Sequence, residues 1–220
     1  MSETIRIKFT RTGPVSYIGH LDLLRYFQKI IAKSGIDIKY SQGFNPHQLV
    51  SFAYPLGVSM ETLGDYMDME VESYESTDSI VDSLNSVMNE GITVVSASAV
   101  PEGEPTAMAS VYMADYDVFT DGAFDDDEIN DYLAQKEIII LKESKKGIQA
   151  SDIRPGIKEL RNAEGRIFMR LSSGSSLNIK PASVIETLNT FTNKNVSIDL
   201  IRRLEIYKGD ENGIKPLGEY

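Results

Sequence analysis

Polar and apolar positions alternate almost from the start of the chain. In "TIRIKFT" (4–10), Ile5, Ile7 and Phe9 share one face and Arg6 and Lys8 the other, which marks a half-buried strand. The period then lengthens. In "GHLDLLRYFQKIIAKSG" (19–35), Leu21, Leu24, Phe27 and Ile31 recur at helical spacing, Lys33 lies in the last turn, and Gly35 is the stop signal. "IDIKYS" alternates again, with Ile36, Ile38 and Tyr40 inward. "DYMDMEVE" sets Met67, Met69 and Val71 against Asp68, Glu70 and Glu72. "STDSIVDSLNSVMNEG" reads as a helix capped by Ser76 or Thr77 and closed at Gly91, and "ITVVSASAV" as a strand.

The turn-rich "PEGEPT" (101–106) interrupts the pattern, after which the same order recurs. "SVYMADYDVF", "EIIILKES", "RIFMRLS" and "VSIDLIRRLEIY" read as strands. "DDDEINDYLAQ" and "KPASVIETLNTF" read as helices, and residues 145–165 as an irregular stretch. Strand, helix, strand, strand, helix, strand, taken twice, predicts an α+β protein of two tandem ferredoxin-like (βαββαβ) units, each an antiparallel sheet with helices on one face. The expected division is 1–100, a linker at 101–107, and 108–220.

Charge sharpens this picture. The net charge is −11 over 220 residues, but residues 51–135 hold no Lys or Arg against nineteen Asp and Glu, whereas both flanks are net basic. A chain with basic ends can still meet an anionic partner. No apolar run is long enough to span a membrane, and the start lacks the apolar core of a secretory signal, so a cytoplasmic protein is expected. The chain contains no cysteine, which excludes disulfides, a thiolate nucleophile and a cysteine-ligated cluster.

Candidate chemistry concentrates at one place. A helix from Gly19 to Ser34 is about 24 Å long at about 1.5 Å per residue, and a strand from Ile36 to Gln42 covers about 23 Å at about 3.3 Å per residue. Matching lengths predict that the loop after Gln42 returns to the level of the helix start. That would bring His20, Asp22 and Arg25 beside Gln42, Gly43, Phe44, Asn45 and His47, uniting both histidines of the chain. The helix start offers free N–H groups to an anion, Arg25 and Arg11 add positive charge, and Phe44 could stack on a base. His20 and His47 are also the candidates for acid–base catalysis. Two histidines and Asp22 lack a metal-ligand spacing, so no metal is expected. Arg6 and Lys8 should pair across strands with Asp68 and Glu70 rather than form a phosphate track. The basic "KESKKG", "DIRPGIKELR", Arg166 and Arg170 make a second group, and Arg202 and Arg203 break the alternation of the last strand.

The run from "GHLDLLR" through "SQGFNPH" to "DYMDMEV" resembles the N-terminal signature of the radical-SAM-linked family, whose members are encoded beside or fused to a radical S-adenosylmethionine protein. The resemblance covers about residues 3–72 and continues more weakly through "DIRPGIKEL". It implies a radical SAM partner that supplies the iron–sulfur cluster, with no cofactor in this chain. The leading expectation is an accessory, substrate-binding protein, with tRNA or rRNA as the substrate class. A metal-independent ribonuclease or related phosphate-transfer enzyme using His20 and His47 is the alternative, and a protein adaptor docking through the acidic middle is the third reading.

Overall fold

The computed structural model describes residues 2–144, 147–174 and 177–220. It shows an α+β fold whose strands pair antiparallel. The elements are β1 (Glu3–Arg11), α1 (His20–Ser34), β2 (Asp37–Ile38), β3 (Val50–Phe52), β4 (Met60–Ser73), α2 (Thr77–Asn85), β5 (Ile92–Ala99) and α3 (Ala107–Ser110). They continue with β6 (Met113–Thr120), α4 (Asp126–Ala134), β7 (Ile139–Ser144), β8 (Gly147–Asp152), β9 (Ile157–Ala163), β10 (Arg166–Ser172), α5 (Pro181–Thr192), β11 (Ile198–Asp210) and β12 (Gly213–Pro216). The chain forms two compact units. The first is Met1–Tyr112 with Arg203–Tyr220, and the second is Met113–Arg202. Residues 101–107, expected as a linker, stay inside the first unit and lead into α3.

In the first unit the strand order is β5-β1-β4-β11, with β2 and β3 also on β4 and β12 on β11. Alternation on β1 puts Ile5, Ile7 and Phe9 into a core with Met67, Met69 and Val71 of β4 and with α1 and α2. Leu23, Phe27, Ile30 and Ile31 form the buried face of α1, whereas Leu21 is exposed. The inward stripe is therefore rotated from the one expected through Leu21 and Leu24. Gly35 ends α1 in the left-handed conformation at φ +79°, and Ser76 and Ser79 close a capping box on α2.

The expected strand over residues 36–41 is a correction. Only Asp37 and Ile38 form β2, and Tyr40 makes an isolated bridge to Gln48. The Leu49 N–H donates to the Lys39 carbonyl, and β3 then resumes along the same edge of β4, with Val50 opposite Met69 and Phe52 opposite Met67. Residues 40–48 are thus an excursion from the middle of an edge strand.

In the second unit the order is β11-β6-β10-β9, with β11 starting here at Ile198. The segment "EIIILKES" does not join that sheet but pairs with β8 in a two-stranded ribbon, and the strand beside β10 is β9. Both β8 and β9 lie in the stretch expected to be irregular. Of the basic run "KESKKG", residues 145 and 146 lie outside the described residues.

On the face of the first sheet away from the helices, Arg6 is 1% exposed and pairs with Asp68 through two hydrogen bonds of 2.7 and 3.0 Å. It also donates to the Leu217 and Pro105 carbonyls, and the Ala107 N–H donates to Asp68. Arg203 reaches Asp65 at 3.0 Å, both being buried. Removing one partner of such a pair strands a buried charge, whereas replacing both with apolar side chains costs far less. Arg6→Met or Asp68→Leu alone is expected to lower stability by about 3–5 kcal/mol. The double variant should lose clearly less than the sum, as read by urea unfolding. A separate constraint sits at Gly64, where an added Cβ would lie 2.4 Å from the Leu204 carbonyl oxygen, a backbone atom. Gly64→Ala should therefore destabilise the protein by about 1–3 kcal/mol, measured in the same assay.

Candidate functional site

The loop over residues 41–47 is pinned at its neck by two residues. The Ser41 N–H donates to the His47 carbonyl at 2.8 Å, the His47 N–H donates to Ser41 Oγ at 3.1 Å, and Ser41 Oγ lies 2.8 Å from His47 Nδ1. Ser41 Oγ thus accepts the backbone proton and shares a second hydrogen bond with Nδ1, whose donor depends on the tautomer of the ring; the contact fixes the ring's orientation and leaves Nε2 pointing away from Ser41. Below the neck, the Gln48 side-chain amide donates to the Gln28 carbonyl of α1. Above it, Gln42, Gly43, Asn45 and His47 are exposed, Gly43 takes φ +118°, and Phe44 projects into solvent at 106% relative exposure. The ring contributes nothing to the core and is free to contact a ligand.

The expected gathering of His20 with this loop does not occur. His20 packs its ring on Phe52 at 5.3 Å between centroids, on the helix-covered side of the sheet. His47 instead lines a cavity of about 220 Å³ with Thr4, Ser51, Asp68, Glu70 and Thr106. Thr4 pairs with Glu70 and Ser51 with Asp68, so these residues share the face opposite α1. The physical reason is the shortened strand. The loop leaves beside Gln28, about two turns of α1 after His20, and the chain needs all of β3 to reach His20's level. The two imidazoles therefore cannot act on one substrate atom from a common cavity.

The remaining expected residues behave differently from one another. Gly19 is the N-cap of α1, and Asp22 pairs with Arg25 at 2.9 Å, both exposed. Such an exposed pair contributes little and exchanges readily for another partner. Arg11 is not a surface cation: it is fully buried and donates to the Ile18, Gly57 and Met60 carbonyls. Burial lowers its pKa, partly offset by Asp65. Arg6 is consumed by Asp68, Lys8 by Glu205, and Lys39 by Glu70. In the second unit Arg170 binds Asp115, Arg166 binds Asp117, and Arg154 donates to the Leu133 and Ile157 carbonyls. The acidic run at 125–128 is spent on α4. Asp125 and Glu128 form a capping box, and Glu128 also holds Lys194. The capping box gives Asp125 and Glu128 a structural role, while Asp125, Asp126 and Asp127 stay exposed.

Thr4, Ser51, Glu70 and Thr106 escaped the sequence reading as site residues. Alternation had already put Glu70 on the outward face, but nothing in the sequence linked Ser51 or Thr106 to His47. The second unit holds a larger cavity of about 820 Å³, bordered by Ile138, Ile139 and Leu141 on one side and by Thr187 and Phe191 of α5 on the other. Among the described residues no group of three or more His, Asp or Glu is placed to hold a metal ion, and no helix is long and apolar enough to cross a membrane.

A solved structure described as a Cbf5-Nop10-Gar1 complex contains a chain similar in fold to this one. The TM-score is 0.51 and the sequence identity 11%, over 97% of this chain and 60% of the other. This chain thus spans less than two thirds of the length of that relative. No curated protein matches the sequence. A family model described as "Uncharacterized protein conserved in bacteria" matches residues 4–181, most of the chain from β1 to the start of α5. The chain therefore belongs to that bacterial family, DUF2344.

Proposed function

We propose that this chain is a cytoplasmic, non-catalytic RNA-binding accessory protein that presents its substrate to a radical SAM enzyme. The observation that carries the reading is Phe44, fully exposed at the tip of a loop whose neck is pinned by Ser41 and His47. A preorganised aromatic ring in a loop without charge suits stacking on an unpaired base, since every base has a π-face. Positive charge is at hand. Arg25, Lys29 and Lys33 line the exposed side of α1, the helix to which Gln48 ties the loop. Arg25 can leave Asp22 for a phosphate at little cost.

The partner rests on the resemblance to the radical-SAM-linked family. A chain with no cysteine needs another protein to hold the cluster. The orders β5-β1-β4-β2 and β11-β6-β10-β9 support reading each unit as a ferredoxin-like split β-α-β unit, the second carrying the β7–β8 ribbon as an addition. The solved Cbf5-Nop10-Gar1 complex adds a likeness of fold and nothing more.

Fluorescence anisotropy with a single-stranded RNA 12-mer tests the reading. Binding should weaken steeply with salt. Phe44→Ala should reduce affinity about tenfold without lowering the melting temperature, because the ring buries nothing. Lys29→Ala with Lys33→Ala should flatten the salt dependence. An affinity unchanged by Phe44→Ala would remove the loop from the interface.

A further inference from the structure

The cavity beneath the loop has chemistry that a phosphate or a greasy ligand would not match. It is floored by two carboxylates already balanced by cations: Asp68 by Arg6, and Glu70 through one oxygen by Lys39 at 2.7 Å. An added anion would meet those carboxylates without a free cation among the described lining residues. Glu70 keeps its second oxygen, Oε1, as an acceptor, since Lys39 takes Oε2. The Thr4 and Ser51 hydroxyls have no hydrogen-bond partner among the described residues. His47 adds an imidazole whose orientation is set by the Ser41 contact at Nδ1 and whose Nε2 donates or accepts according to tautomer. One carboxylate acceptor, one oriented imidazole and two adaptable hydroxyls surround about 220 Å³, less than a drug-sized ligand fills and enough for a single ring system.

We infer that this cavity binds one nucleobase carrying an exocyclic amino group, with that amino group donating to Glu70 and a ring or carbonyl acceptor taking the His47 Nε2 proton. Cytosine and adenine each present an amino donor beside a ring-nitrogen acceptor. Uracil in the same pose turns a carbonyl toward the carboxylate and can offer its N3–H there only by shifting the ring. Glu70 is half-buried, so a carbonyl turned toward it meets like partial charge with only partial solvent screening, which disfavours the wrong base. The inference deepens the RNA-binding reading, since the cavity opens three residues after Phe44 and would read a base next to the stacked one.

The chain has two histidines, so imidazole proton resonances report the site directly in the full-length protein. Titration with free nucleosides should shift the His47 signals, leaving those of His20 in place, saturably with cytidine and adenosine. Uridine should bind about tenfold more weakly. Glu70→Gln, whose amide offers donor or acceptor, should bring cytidine and uridine within about twofold of each other. The Phe44→Ala protein should keep the cytidine preference while losing oligonucleotide affinity, which separates this inference from the stacking role of the loop. Equal shifts from uridine and cytidine, shifts at His20 instead, or no saturable shift at His47 would each overturn it, whatever the oligonucleotide does.

Discussion

Buried arginine–carboxylate pairing on the sheet faces is the constraint from which most of this molecule follows. β4 carries Asp65 and Asp68, and β6 carries Asp115 and Asp117; all four are buried. Each needs a cation that the acidic middle of the chain does not contain. The cations come from the basic flanks, as Arg203, Arg6, Arg170 and Arg166. Desolvation pushes the Asp65 carboxyl above its ordinary pKa, while Arg203 and Arg11 oppose the rise. Part of the segregation of charge along the sequence thus reflects acidic strands β4 and β6 paired with basic partners from the flanks. Pairs of this kind contribute specificity of register more than net stability.

The two units use the device with opposite polarity. In the first, the arginine is on the opening strand β1 and the aspartate on β4. In the second, the aspartates are on the opening strand β6 and the arginines on β10. A strand of one unit set into the other's sheet would meet like charge at these positions, a strong penalty against mispairing between units of similar topology.

Much of this architecture could be read from the chain alone, because periodicity survives wherever an element has one buried face. β1, α1, α2, β5, α4, β10 and α5 fall where alternation or helical spacing puts them, and Arg6 meets Asp68 as cross-strand geometry requires. The failures have local causes. Residues 36–41 alternate well enough to pass for a continuous strand, and no local signal reveals that the edge breaks at Tyr40 and resumes at Leu49. That single error moved the loop to the wrong end of α1 and joined two histidines that the sheet keeps apart. The ribbon β7–β8 was half visible, as "EIIILKES", but its apolar Ile139, Leu141 and Ile148 are exposed, so hydrophobicity there does not mark the core. The burial of Arg11 and Arg203 is not legible in sequence because the Gly57 and Met60 carbonyls and Asp65, which hold them, lie far along the chain.

The first unit is also discontinuous, and this shapes how the protein is made. Asp65 finds Arg203 across 138 positions, and Lys208 closes on Glu104 across 104. During synthesis from the N-terminus, Asp68 and Glu70 find Arg6 and Lys39 within the leading segment, but Asp65 and Glu104 stay without Arg203 and Lys208 until nearly all of these 220 residues have emerged. The intervening unit, complete earlier, is free to fold first. Its closure shortens the effective loop between the two separated pieces and so lowers the entropic cost of their meeting.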